Sequence, residues 1–88
     1  MSELSETLRG RKLLVTGGTG SFGAAVVRRA LAADVGEVRV FSRDEKKQDD
    51  LRHALPDPRL HFFLGDVRDY DSIREACRGV ELVFHAAA

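Results

Sequence analysis

Three glycines, Gly17, Gly20 and Gly23, recur at intervals of three residues near the start of the chain. They follow an apolar run that ends at Thr16 and precede a stretch rich in alanine and valine, as where a strand turns into a helix. In such a turn the first glycine permits a tight bend, the second lets the backbone approach phosphate oxygens, and the third lets the helix pack against the sheet. Backbone N–H groups and the positive end of the helix dipole then face the anion. The spacing predicts a pyrophosphate site, which the surrounding sequence must support because such patterns also occur in ordinary loops.

A polar segment follows a second apolar run and reads Ser42-Arg43-Asp44-Glu45-Lys46-Lys47. In dinucleotide-binding sheets, an acid at the end of the second strand accepts from the ribose 2′-OH of NAD, whereas positive side chains accommodate the 2′-phosphate of NADP. Ser42 stands where the acid would be, and the planar guanidinium of Arg43 suits a phosphate. Lys46 or Lys47 can reach back from the first turn of a following helix. The segment favours NADP, with NAD as the alternative.

The same segment has a simpler interpretation as the solvated start of a helix. Asp44 and Glu45 would favour the positive end of the helix dipole, and the lysines would pair with acids one turn away. That interpretation does not explain why serine and arginine replace an acid at this one position.

These residues need a sheet that brings them together. Four short runs rich in Val, Leu and Phe are predicted as strands: Lys12 to Thr16, Glu37 to Phe41, Leu60 to Leu64 and Glu81 to His85. Three helices are predicted between them: Ser21 to Ala33, one from Arg43 or Asp44 to before Pro56, and Tyr70 to Arg78. Gly36 and Gly79 are expected to end the first and third, and Asp69 or Asp71 to cap the third. Alternating strands and helices imply parallel pairing, so the predicted fold is an α/β three-layer half-Rossmann sheet with strand order 3-2-1-4 and helices on both faces.

Ligands of such sheets bind beyond the carboxyl ends of the strands. The informative segments all follow a predicted strand: Gly17 to Gly23, Ser42 to Lys47, Asp66-Val67, and Ala86 to Ala88. This agreement supports a nucleotide site more strongly than the glycine pattern alone.

Composition limits the other possibilities. The 88 residues permit one small domain, predicted as residues 11–88 behind an N-terminal arm of residues 1–10. The 14 basic and 14 acidic side chains cancel, so no electrostatic footprint for nucleic acid or an anionic membrane is expected. No apolar run approaches the roughly 20 residues of a membrane span. A single cysteine and no apolar signal-peptide core predict a reducing cytoplasm.

Other chemistries lack their residues. His53, His61 and His85 have no spacing that gathers a metal, and only Cys77 adds sulfur, so no metal site is predicted. Cys77 is interpreted as a small buried residue of the third helix, and His85 as a packed or hydrogen-bonded side chain. The glycine loop lacks the Gly-Lys-Ser/Thr ending of a P-loop, which argues against NTP hydrolysis.

Four segments together resemble the extended short-chain dehydrogenase/reductases: Thr16 to Gly23, Phe41 to Glu45 with Lys47-Gln48, Phe63 to Asp69, and His85 to Ala88. Within that superfamily the chain is most similar to the polysaccharide-biosynthesis branch, the UDP-N-acetylglucosamine 4,6-dehydratases. The resemblance implies that the pyrophosphate is lined by Thr19, Gly20, Ser21 and Phe22, and the adenosine phosphate by Ser42 to Lys47. It also implies that Asp66 and Val67 hold the adenine edge and that Ala86 passes beside the cofactor ribose.

The chain departs from that superfamily in its catalytic residues. The Tyr-x-x-x-Lys pair is missing, since the single tyrosine, Tyr70, is followed at that spacing by Arg74. Tyr70 is interpreted as a packing residue at a helix start, and no catalytic residue is assigned. We therefore expect a truncated domain without a substrate domain. It would bind NADP but would not turn over a UDP-sugar, which would bind only in a full-length parent.

A second hypothesis is structural. Strand 4 would end the sheet with unpaired backbone groups along Leu82-Val83-Phe84, and such edges associate readily. Two copies would then pair through this edge across a two-fold axis as a homodimer, with little or no cofactor binding.

Overall fold

A computed structural model describes residues 3–86, apart from the side chain of Leu4. Ala87 and Ala88, which were expected to follow the fourth strand beside Ala86, lie outside the described residues. Eight elements follow one another along the chain: α1 Glu3–Leu8, β1 Lys12–Thr16, α2 Ser21–Ala32, β2 Glu37–Ser42, α3 Glu45–Ala54, β3 Leu60–Leu64, α4 Tyr70–Ala76 and β4 Leu82–His85.

The four strands form one parallel sheet in the order β3-β2-β1-β4, which confirms the predicted fold class and strand order. In register, Val15 of β1 lies between Val40 of β2 and Phe84 of β4. The ladder continues past the strand ends, because Gly17 N–H donates to Phe41 O at 2.8 Å and Ala86 N–H donates to Thr16 O at 2.9 Å. The loops that follow the strands therefore start from one common edge.

The sheet has an apolar core on each face, as the predicted three layers require. Leu13 and Val15 of β1 pack in a cluster that includes residues of α2 and α3, whereas Leu14 points to the opposite face and packs near α4. This alternation is the two-residue period of a strand buried on both sides. Leu8, at the end of α1, is also buried in the larger cluster.

The end of α2 differs from the expectation for Gly36. The helix stops at Ala32, where Ala33 N–H donates to Ala30 O, and Asp34 then adopts a left-handed φ of 60°. Aspartate tolerates this conformation better than most residues because its short side chain can hydrogen-bond locally. Gly36 serves packing instead, since a Cβ there would lie 2.7 Å from the carbonyl carbon of Gly10.

Two expectations for α4 need correction. The helix ends at Ala76 rather than Arg78, with Gly79 following at a φ of 77°. Tyr70 starts the helix as predicted but its side chain is exposed, so it is not a packing residue. Asp69 is the N-cap, because its carboxylate accepts from the N–H groups of Asp71 and Ser72.

Two partly buried arginines connect helices to the sheet through hydrogen bonds. Arg39 of β2 pairs with Glu37 and donates to the carbonyl oxygens of Ala76 and Arg78, which holds the C-terminal end of α4. Arg59, just before β3, pairs with Asp57 and donates to Leu31 O at 2.9 Å near the end of α2. None of the described helices combines the length and apolar character that crossing a membrane requires.

Candidate functional site at the carboxyl ends of the strands

One groove of about 1090 Å³ opens at the carboxyl edge of the sheet, and we call it the strand-end groove. Loops that follow all four strands line it. Its residues are Gly17, Thr19, Gly20, Phe41, Ser42, Arg43, Asp44, Glu45, Lys47, Gly65, Asp66, Val67, Arg68 and Ala86. The structure thus brings together residues from each of the four segments that the sequence placed at strand ends.

The glycine loop forms one wall of the groove and leads into α2. Gly17 takes a left-handed φ of 71°, and Gly20 N–H donates to Gly17 O at 3.1 Å to close the turn. The first helical bond at this end runs from Ala24 N–H to Gly20 O at 2.8 Å. Helix geometry leaves the preceding N–H groups without intrahelical acceptors, and Gly20 supplies no side-chain cap. This end of α2 can therefore bind an anion through its backbone.

The three glycines have different steric roles. A Cβ on Gly23 would lie 2.2 Å from Gly17 O, so close packing of α2 on the loop requires glycine there. A Cβ on Gly20 would meet only Gly17 O, at an ordinary 3.6 Å. Internal packing thus gives no reason for glycine at position 20, whereas close approach of a ligand to the backbone does.

Ser42 ends β2 with its side chain turned into the protein. Its hydroxyl accepts from Gln48 Nε2 at 2.9 Å, and the residue is buried. The position that the sequence compared with a ribose-binding acid therefore carries a hydroxyl that accepts a hydrogen bond from Gln48. The next residue, Arg43, has a largely exposed side chain beside the groove.

Asp66 lies across the groove between two arginines. Its carboxylate accepts from Arg68 Nη2 at 2.8 Å and from the Arg68 N–H at 2.9 Å, and Arg43 Nη1 lies 3.6 Å away. The Arg68 side chain and backbone amide, with a smaller contribution from Arg43, hold the pKa of the Asp66 carboxyl well below its usual range. Asp66 is thus an ionised acceptor with a fixed orientation, and Val67 beside it is exposed.

At the start of α3, Lys46 and Lys47 point in different directions. Asp44 caps the helix by accepting from Lys47 N–H at 3.0 Å, and Glu45 begins the first turn at the groove wall. Lys47 lines the groove, whereas Lys46 lies outside it and pairs with Asp50 at 3.5 Å. Of the two lysines proposed for a phosphate, the structure therefore places Lys47 at the groove.

Three more predicted residues lie next to the groove rather than in its lining. Ser21 and Phe22 start α2, and Gly23 is buried beneath the loop. Phe22 is exposed, and its ring centroid lies 5.6 Å from that of Phe84.

Sequence reasoning missed three lining residues: Phe41, Gly65 and Arg68. Gly65 had a readable signal, since it directly precedes Asp66-Val67 and follows β3. A Cβ on Gly65 would lie 2.9 Å from the Phe41 ring, so the close packing of these two residues requires glycine at position 65. Arg68 is two residues from Asp66, but only the folded loop shows that its guanidinium turns back to that carboxylate.

His85 is hydrogen-bonded, as the sequence predicted. Its Nδ1 lies 2.5 Å from the hydroxyl of Thr16 on the neighbouring strand. Within residues 3–86, no group of three or more His, Cys, Asp or Glu side chains is arranged to hold a metal ion.

Comparisons with known proteins agree with this architecture. The model of a family described as polysaccharide biosynthesis protein matches residues 13–88. A UDP-glucose 4-epimerase of Rickettsia akari (strain Hartford) is 60% identical over 82 residues, and the match covers 89% of this chain and 24% of that protein. The chain thus spans about a quarter of the length of such curated relatives.

Solved structures give the same relationship. Pen from Bacillus thuringiensis aligns with a TM-score of 0.88 and 34% identity, over 92% of this chain and 26% of that one. An oxidoreductase of the short-chain dehydrogenase/reductase family from Burkholderia thailandensis aligns with a TM-score of 0.74 and 29% identity, over 83% of this chain and 30% of that one. The chain therefore belongs to the polysaccharide biosynthesis protein family, within the short-chain dehydrogenase/reductase superfamily.

Proposed function

We propose that this chain is the NADP-binding N-terminal segment of an enzyme that acts on a nucleotide sugar. The observation that carries the proposal is the strand-end groove, which has a glycine-rich helix start on one wall and Arg43 and Lys47 on another. Relatives in the superfamily imply a nicotinamide dinucleotide, and the choice of NADP over NAD rests on those two cations.

The pyrophosphate would lie against the turn from β1 into α2. Thr19 and Gly20 line the groove there, and Ser21, Phe22 and Gly23 supply first-turn N–H groups. The room left at Gly20 fits close approach of phosphate oxygens to the backbone. Ala86, after β4, lies on the same side as the ribose would.

The adenosine end would lie between β2 and β3. Arg43, with its side chain 72% exposed, can turn its guanidinium to a 2′-phosphate, and Lys47 adds a second charge from the first turn of α3. Asp66, kept ionised by Arg68, and the adjoining Val67 would hold the adenine edge. The acids Asp44 and Glu45 complete this wall, and Asp44 is turned toward the helix as its cap.

The substrate proposal follows from the relatives. Curated relatives are named for UDP-glucose 4-epimerase, whereas the sequence resembles UDP-N-acetylglucosamine 4,6-dehydratases. Both names specify a UDP-sugar, so we propose that substrate class for a full-length protein that contains this segment. A bound nicotinamide would supply hydride transfer there.

These 88 residues would bind the cofactor without turning over a sugar. Tyr70 is exposed at the start of α4, outside the groove lining, and Arg74 stands where a lysine would be needed. The residues that act on the sugar would thus come from chain beyond this segment.

Arg43→Asp tests the phosphate assignment. It should weaken NADP binding by about 10- to 100-fold, the effect of losing one charge-assisted hydrogen bond, and weaken NAD much less. Calorimetric titration of each variant with both cofactors measures this. Lys46→Asp is the matched control, with the same change of charge three residues away and outside the groove. Equal losses for NADP and NAD in Arg43→Asp would refute the assignment.

A second candidate function is self-association through β4. Within residues 3–86, β4 pairs only with β1, so its outer backbone edge has no strand beside it. Val83 is 58% exposed and Phe84 37% exposed, and Phe22 extends the apolar patch through its contact with Phe84. A second copy of the chain could cover this edge and form a symmetric dimer.

Sedimentation velocity at several concentrations tests the dimer. Val83→Lys should shift the protein toward monomer, because a charge on an edge strand opposes pairing. Tyr70→Lys adds the same charge at an exposed aromatic residue on α4 and should leave the distribution unchanged. A wild-type protein that stays monomeric at high concentration would rule out this candidate.

A further inference from the structure

Gln48 is a polar residue buried between α3 and the sheet. It is 4% exposed, and its Nε2 donates to Ser42 Oγ at 2.9 Å and to Phe63 O at 2.9 Å. One amide group therefore joins the end of β2, the end of β3 and the first turns of α3. A buried amide with two satisfied N–H donors holds such elements in one orientation, because each alternative leaves a polar group unpaired.

The orientation of α3 decides which lysine faces the strand-end groove. Successive helical residues are about 100° apart around the axis, so fixing Gln48 toward the sheet also fixes its neighbours. Lys47 then lines the groove, and Lys46 points away to Asp50. If α3 were rotated about its axis by one residue, another side chain would take the place of Lys47 at the groove. The Asp44 cap at the start of the helix would also move.

Gln48 also fixes the path of the chain into Arg43. Ser42 directly precedes Arg43, and its hydroxyl and, at 3.4 Å, its carbonyl oxygen both lie against Gln48 Nε2. Gly65 N–H donates to Ser42 O at 2.9 Å from the other side, so this carbonyl joins the loops on both sides of the adenosine end.

We propose that Gln48 is a positioning residue that sets the discrimination between NADP and NAD without touching the cofactor. This rests on the proposed function, and it assigns Ser42 to the same buried network rather than to the ribose. Gln48 acts by fixing the backbone from which Arg43 and Lys47 reach the 2′-phosphate. NAD lacks that phosphate, so loss of the network costs NADP binding selectively, whereas a residue needed only for folding would affect both cofactors alike.

Gln48→Met tests the proposal, because it keeps the length of the side chain and removes both donors. In the folded 88-residue chain, the ratio of NADP to NAD affinity should fall by about tenfold, which corresponds to about 1.4 kcal/mol. Calorimetric titration gives the ratio, and circular dichroism checks the fold. Leu51→Ala is the control, since it removes a buried side chain from the same helix and should lower stability with the ratio unchanged.

If Gln48→Met does not fold, Gln48→Asn tests the proposal instead. It retains the amide on a side chain one methylene shorter, which cannot reach both acceptors, and should also lower the ratio. An unchanged ratio in a folded Gln48 variant, with a wild type that prefers NADP, overturns this inference and leaves the proposed function intact. A wild type that binds neither cofactor overturns both.

Discussion

At the scale of single residues, neighbouring side chains at the strand-end groove differ in exposure and in direction. Arg43 is exposed where Ser42 is buried, and Lys47 lines the groove where Lys46 points away. The sequence predicts that cations gather at this point but not which of them face a ligand. That selection depends on Gln48, whose contacts with Ser42 and with the end of β3 exist only in the folded chain.

Gly20→Ala and Gly23→Ala separate binding from folding within one loop. Alanine fits at position 20 in the absence of ligand, so the free energy of unfolding should change by no more than about 0.5 kcal/mol. The added methyl group should nonetheless hinder the approach of phosphate and weaken NADP binding by about tenfold or more. Chemical denaturation and cofactor titration of the same sample measure the two effects.

At position 23 the substitution should instead lower the free energy of unfolding. A Cβ would lie 2.2 Å from the carbonyl oxygen of Gly17, so Gly23→Ala should cost about 1–3 kcal/mol of unfolding free energy as the loop shifts. Gly20→Ala that unfolds the protein, or Gly23→Ala that leaves stability intact, would show that the glycines have other roles.

Some of the site was readable from residue types and some was not. The glycine spacing predicted the turn because each position has a distinct steric requirement, and Asp66 was predicted from its place after a strand. The contact of Arg68 with Asp66 was missed because it depends on how the loop turns back on itself. The exposure of Tyr70 was missed because a helix start gives no sign of which face the sheet covers.

At the scale of elements, the strands followed from short apolar runs, and their bounds agree with the structure to within a residue. The end of α2 did not follow, because Asp34 rather than a glycine takes the left-handed conformation. The links between elements were also invisible in the sequence. Arg59 reaches from the start of β3 to the carbonyl oxygens of Leu31 and Val35, which are 28 and 24 residues away along the chain.

The Asp57–Arg59 pair predicts a pH dependence of stability. Hydrogen bonds from the Arg59 side chain and backbone lower the pKa of Asp57 from 3.8 to about 2. Because the pKa is lower in the folded state, the stabilisation is fully present above the unfolded pKa of 3.8 and is lost as pH falls toward about 2.

Asp57→Asn should therefore be less stable than the wild type at neutral pH, and the difference should shrink below pH 3.8. Urea denaturation at a series of pH values measures it. Asp50→Asn, on the exposed side of α3, is the control for the change in charge. A wild-type advantage that persists unchanged at pH 2 would contradict this account of the pair.

At the scale of the whole molecule, one four-stranded sheet with a core on each face supports a groove at the carboxyl ends of its strands, lined by the end of β2, the loops that follow the strands and the start of α3. The larger core cluster joins α1, α2 and α3 to one face, and the smaller one joins α4 to the other. A domain of this size gains only marginal stability from its own core, so a ligand that binds the folded state should stabilise it measurably. The fold was predictable as a whole because alternation of strands and helices admits few topologies, whereas the choice of cofactor depends on a few side chains.

Calorimetric titration of the wild-type chain with NADP and with NAD tests the central claim most directly. The strand-end groove should bind NADP, and bind it more tightly than NAD, because Arg43 and Lys47 line the part of the groove proposed for the 2′-phosphate. The claim would be contradicted if neither cofactor produced heat at millimolar concentration while circular dichroism showed that the chain was folded.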